Sequence, residues 1–129
     1  MKKIVMSIAF VLAATFAFGQ ELTKEELKQQ KRQIKALMNI ANDAEVNLLA
    51  DPVSAVNSMK EVVNSPLVNK NPYVWFVTAS ARKAAIDAEN RKRAEGAAFD
   101  ETRLYTYTLD LGSELEKLEM YDNMPDAKG

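Results

Sequence analysis

The chain has 129 residues, 17 basic and 18 acidic side chains, a net charge of −1, and neither cysteine nor histidine. The missing cysteine excludes a disulfide framework, a thiolate metal site and a lipoprotein anchor; the missing histidine excludes a Ser-His-Asp triad, an imidazole base and histidine-bound zinc or copper. The balance of charge lacks the basic footprint a nucleic-acid binder needs to displace counterions from phosphates. These residue types point away from an enzyme, and no catalytic, cofactor-binding or metal-ligating set can be named.

Residues 1–19 read as a secretory signal peptide. Lys2 and Lys3 precede an apolar run from Ile4 to Phe18, and Ala17 and Gly19 supply small residues before Gln20. The run falls short of the roughly 20 residues a membrane-spanning helix needs. A cut after Ala17 and an uncleaved anchor are the alternatives. Removing this segment leaves about 110 residues with 15 basic and 18 acidic side chains, net −3, enough for one domain with a modest core. The expected product is exported, periplasmic or secreted, with no membrane span after cleavage.

The mature part reads as all-α. Residues 20–50 hold an amphipathic helix. Thr23 and Glu26 form a capping box, with Leu22 and Leu27 as its hydrophobic staple. Leu27, Ile34, Leu37, Ala41, Ala44 and Leu48 then recur on one face, with Lys28, Lys31, Arg32 and Lys35 on the other. Asp51 and Pro52 cap and open a short second helix lined by Val53, Val56, Met59 or Lys60, and Val63, ending near Asn64. Ser65, Pro66 and Asn69 mark the loop that follows.

Asn71 and Pro72 repeat the same device ahead of an apolar stretch, Tyr73 to Val77. Its alanine-rich continuation through Ala79, Ala81, Ala84, Ala85 and Ala88 favours a helix over a buried strand. Arg91, Lys92 and Arg93 suit the carbonyl end of that helix, and Gly96 ends it. Asp100 caps a fourth helix whose stripe is Leu104, Leu111, Leu115 and Leu118, widened by Tyr105, Leu109 and Met120. Short connections favour antiparallel helix pairs.

Each pair has about the size of a tetratricopeptide (TPR) unit. Ala55, Met59 and Pro66 close one unit, Asn71, Pro72 and Trp75 open the next, and Asn123 to Gly129 serve as a following linker. On these residues, region 51–129 resembles the N-terminal part of exported TPR-like proteins of Gram-negative envelopes. Thr78 stands where the repeat prefers leucine, and Arg82 where it prefers an aromatic. The resemblance implies an α-solenoid fragment that binds a protein or peptide on a concave surface. Such a unit needs about three repeats to bury its apolar face. The first helix therefore completes the core, the chain forms a homo-oligomer, or it is truncated at Gly129; otherwise it is a small helical bundle.

Trp75 and Phe76 are expected in the core, as the most apolar part of the mature chain. Tyr105 and Tyr107, two apart on a helix, cannot share a face, and Tyr107 is expected to be the exposed one. The basic clusters Lys28, Lys31, Arg32, Lys35 and Arg91, Lys92, Arg93 are read as solvated faces, Glu25 partnering Lys28. Glu114, Glu116 and Glu119 are read as the polar side of the fourth helix. The expected function is an exported interaction module that binds a protein or peptide through a helical surface. The alternative is a periplasmic coiled-coil or holdase-like structural protein, suggested by about three heptads in the first helix.

Overall fold

A computed structural model describes residues 23–123. The signal segment, Leu22 of the staple and the linker after Asn123 lie outside the described residues. The fold is all-α, a small helical bundle. The described residues form α1 (Lys24–Asn47), α2 (Pro52–Val63), α3 (Pro72–Ala94) and α4 (Glu101–Asp122).

Each helix starts where a side chain takes up an orphan amide. The Glu26 amide donates to Thr23 Oγ1 at 3.1 Å, and the Thr23 amide donates back to Glu26 Oε1 at 3.4 Å, which is the reciprocal box. Asp51 accepts from the Ser54 amide at 3.2 Å, Asn71 from the Tyr73 amide at 2.9 Å, and Asp100 from the Arg103 amide at 2.8 Å. Pro52 and Pro72 occupy the first helical position, where a missing N–H costs nothing. Gly96, at φ 75°, ends α3: the Gly96 amide donates to the Arg93 carbonyl at 3.1 Å and the Ala97 amide to that of Lys92 at 2.8 Å. That double closure needs a left-handed residue, which glycine supplies without strain.

The core draws on Leu37, Ala41 and Ala44 of α1, Ala55, Val56, Met59 and Val62 of α2, Val68 from the following loop, and Val74, Val77 and Ala81 of α3. On α2, Met59 takes the inward position and Lys60 stays in solvent. The twelve residues of α2 lie between α1 and α3. The Tyr73 hydroxyl ties the start of α3 to the second half of α1, reaching Asn42 Oδ1 at 2.8 Å and Glu45 Oε1 at 2.7 Å. Burial, then the hydrogen bond and charge of Glu45, push this phenol up to about 12. No residue of α1 before Leu37 is buried.

α4 packs along α3 as an antiparallel hairpin. Trp75 stacks on Tyr121 with ring centroids 6.3 Å apart, Arg82 meets Glu114, and Glu89 meets Arg103. The α4 residues on the inner side are Leu104, Tyr107, Leu111, Glu114, Leu118 and Tyr121, in alternating steps of three and four. Trp75, Thr78, Arg82, Ala85 and Glu89 repeat the same steps on α3. This is the spacing of a heptad seam. It joins two helices of one chain, Trp75 meeting Tyr121 and Arg82 meeting Glu114 across it.

Four side-chain expectations change. Phe76 is 47% exposed rather than core, because Val74, Val77 and Ala81 set the phase of α3 and leave Phe76 on the opposite side. Trp75 lies at the edge, its indole N–H donating to the Asn69 carbonyl at 2.6 Å. Tyr105 is 63% exposed and Tyr107 packs against the core, the reverse of expectation, because Tyr107 shares its phase with Leu111 and Glu114. The wide stripe of α4 divides: Leu104, Leu111 and Leu118 turn inward, and Tyr105, Leu109, Leu115 and Met120 stay exposed. Glu114 leaves the polar side it was expected to share with Glu116 and Glu119 and is buried against α3.

Candidate interaction surface

Polar side chains in the seam satisfy one another. Arg82 Nε donates to both carboxylate oxygens of Glu114 at 2.8 Å, and its Nη2 lies 2.8 Å from Glu114 Oε2. The guanidinium also sits 4.5 Å from the Tyr107 ring centroid and 3.5 Å from Asp110 at the rim. Desolvation raises the Glu114 carboxyl above the usual range, Arg82 pulling it down and Asp110 pushing it up. Thr78 closes its hydroxyl onto the Val74 carbonyl at 2.8 Å. The two positions that depart from the repeat pattern thus each have a partner.

A second polar node fastens the loop end of the hairpin. Glu89, 3% exposed, accepts from the Asp100 amide at 2.7 Å and from Lys92 Nζ at 3.1 Å, with Arg103 at 3.9 Å. The Asp100 amide holds this carboxyl below the usual range against the pull of desolvation, and Lys92 and Arg103 add to the lowering. Lys92 is therefore engaged, and Arg93 lies 5.9 Å from the Phe99 ring centroid, so two members of the cluster contact the hairpin, while Arg91 is exposed. Among the described residues no group of acidic side chains is placed to hold a metal ion.

What remains unsatisfied is apolar. α4 exposes Tyr105, Leu109, Leu115 and Met120 by 63, 60, 48 and 46%, Leu115 on the flank next to inward Leu111 and Leu118 and the other three farther round the helix. Gly112 lies in their midst, and nothing stands within 4 Å of where its Cβ would be. Beside Tyr105 and Leu109 opens a groove of about 300 Å³, also lined by Arg93, Phe99, Leu104 and Thr108. Exposed Glu101, Glu116, Glu119 and Asp122 lie among and beside these side chains.

At the other end of the chain, Lys24, Lys28, Lys31, Arg32 and Lys35 are exposed along the first half of α1, beside Leu27 at 43%. Among the described residues no ion pair joins Glu25 to Lys28. No helix among the described residues is long and apolar enough to cross a membrane. The chain matches no protein-family model, no curated protein and no solved structure.

Proposed function

We propose that the chain is an exported, TPR-like interaction module that binds a protein or peptide through the outer face of α4. The observation that carries this reading is the exposure of Tyr105, Leu109, Leu115 and Met120 on a helix whose inner face is already packed. Exposed apolar side chains clustered within a polar rim mark binding surfaces. Export rests on Lys2, Lys3 and the apolar run to Phe18.

The test has two arms. The mature N-terminus, read by mass spectrometry of the envelope and medium fractions, should be Gln20; retention of Met1 in the cytoplasm would remove the exported part of the reading. A photo-crosslinking residue at Leu109 should give adducts in cells that the same residue at exposed Lys83 does not. Equal labelling at both sites would leave α4 without a special role.

The second reading, a coiled-coil or holdase-like structural protein, is favoured by the heptad spacing of the α3–α4 hairpin. It predicts suppression of client aggregation, undiminished by Leu109→Glu.

A further inference from the structure

The outer face of α4 mixes apolar and acidic side chains: Glu116 stands seven residues after Leu109 and four before Met120, in line with both, and Glu119 follows Leu115 by four. Its exposed charges include Glu101, Glu116, Glu119 and Asp122, and Lys117 is the one lysine of the helix. A partner that covers Tyr105, Leu109 and Met120 must bring apolar side chains in a row and cations beside them, because like charges brought together across an interface strongly oppose association. A second α4 fails that test in either direction, since it would set the carboxylates of one copy against those of the other.

The first half of α1 passes it. Leu27 is exposed, and steps of seven and four put it on one edge of the helix with Ile34 and Met38, which pack against the core of their own chain and leave only part of their surface outward. Lys24, Lys28, Lys31 and Lys35 run alongside that edge, all exposed. α1 has twice the length of α2, 24 residues against 12, and no residue before Leu37 is fully buried, although Ile34 packs on the core. The chain thus carries, on separate helices, an acidic face with exposed apolar side chains and a basic edge that exposes Leu27.

Gly112 supports the same pairing. Glycine in a helix interior is less favourable than alanine. Within this chain nothing crowds the missing Cβ. The space suits a neighbouring helix approaching α4 closely at its midpoint.

We infer that the occupant of the α4 outer face is the first half of α1 from a second copy of this chain, packed head to tail. The inference rests on α4 being the binding surface. Because the two faces differ, the contact is heterologous: each copy offers one free α1 and one free α4, so association builds short chains or a closed ring. A single helix pair is a small interface, so the contact is reversible and salt-sensitive.

The experiment is sedimentation of the mature chain from Gln20 over a concentration series, with two charge-reversal variants. One carries K28E, K31E and K35E; the other carries E116K and E119K. All five sites are exposed, and circular dichroism checks that both variants keep wild-type helicity. Wild type should associate with rising concentration, and raising salt from about 0.05 to about 0.5 M should weaken this roughly tenfold. Each variant alone should be monomeric, their equimolar mixture should associate again, and one chain carrying both sets should behave as wild type.

Association of wild type that neither reversal disturbs, or a mixture that stays monomeric, would overturn the pairing. So would a wild type that remains monomeric up to roughly millimolar concentration. In that last case a fluorescent Leu/Lys amphipathic helical peptide separates the two layers. Binding that Leu109→Glu abolishes keeps α4 as the binding face with a different occupant, whereas no binding removes both.

Discussion

Arg82 and Glu114, 32 residues apart and each more than nine-tenths buried, form a two-pronged ion pair in the middle of the α3–α4 seam. Burying both charges costs several kcal/mol that their attraction only about repays, so the pair adds specificity of register more than net stability. Removing one partner is another matter. Arg82→Ala should destabilise the chain by about 3–5 kcal/mol, because it strands the Glu114 carboxylate. Replacing both, as Arg82→Met with Glu114→Leu, should recover most of that loss. Urea unfolding of the single and double variants measures the difference, and equal losses in both would show that packing rather than charge holds the seam.

Glu89 makes the hairpin sensitive to acid. Its folded-state carboxyl titrates below the usual value, so it contributes stability that is fully present above the unfolded value of about 4.3 and is lost as pH falls through the lower folded one. Glu114 works in the opposite sense: its raised carboxyl disfavours the fold at neutral pH and is relieved on acidification. Glu89→Gln should therefore lower stability at pH 7 and flatten its decline below about pH 4.5. Thermal unfolding of wild type and variant across that range reads both effects. An unchanged slope would contradict the role given to the Asp100 amide.

The corrected phase of α3 predicts a contrast between two large side chains. Met59 has no exposed surface, and Met59→Ala should cost about 2–5 kcal/mol. Phe76, nearly half exposed, should tolerate alanine within about 0.5 kcal/mol despite being the larger residue. Chemical denaturation of the two variants ranks them, and a larger loss at Phe76 would place it back in the core.

The two described glycines should respond in opposite directions. Gly112→Ala meets nothing within 4 Å and should stabilise the chain by about 0.4–1 kcal/mol. It should also weaken self-association by crowding the approach to α4. Gly96→Ala finds equal space but sits at φ 75°, and should cost more than about 1 kcal/mol at the end of α3. Melting temperatures give the first comparison, and sedimentation the effect on association.

Helix positions were readable from neighbouring residues. Thr23, Asp51, Asn71 and Asp100 each cap within three positions of themselves, and Gly96 closes α3 over a similar span. Rotation about the helix axis was less readable. The apolar residues of α4 spread over more of its circumference than one packing partner can cover, so the predicted stripe held both the seam and the exposed surface. The seam had a signal available in the matching three-and-four steps of α3 and α4. Polar Thr78, Arg82 and Glu89 on α3, and Glu114 on α4, obscured it.

By itself, then, the sequence determined an all-α chain, the number and limits of its described helices, and the residue types it has to work with. Capping bonds and periodicity are local, and a few neighbouring side chains decide them. Only the tertiary structure decided that Glu114 is buried and Glu116 is not, that Tyr107 packs and Tyr105 faces out, and that the apolar surplus of α4 stays uncovered. Those outcomes depend on the rotation at which α3 and α4 meet, which the buried Arg82–Glu114 pair and the Trp75–Tyr121 stack fix across distances the local sequence does not encode.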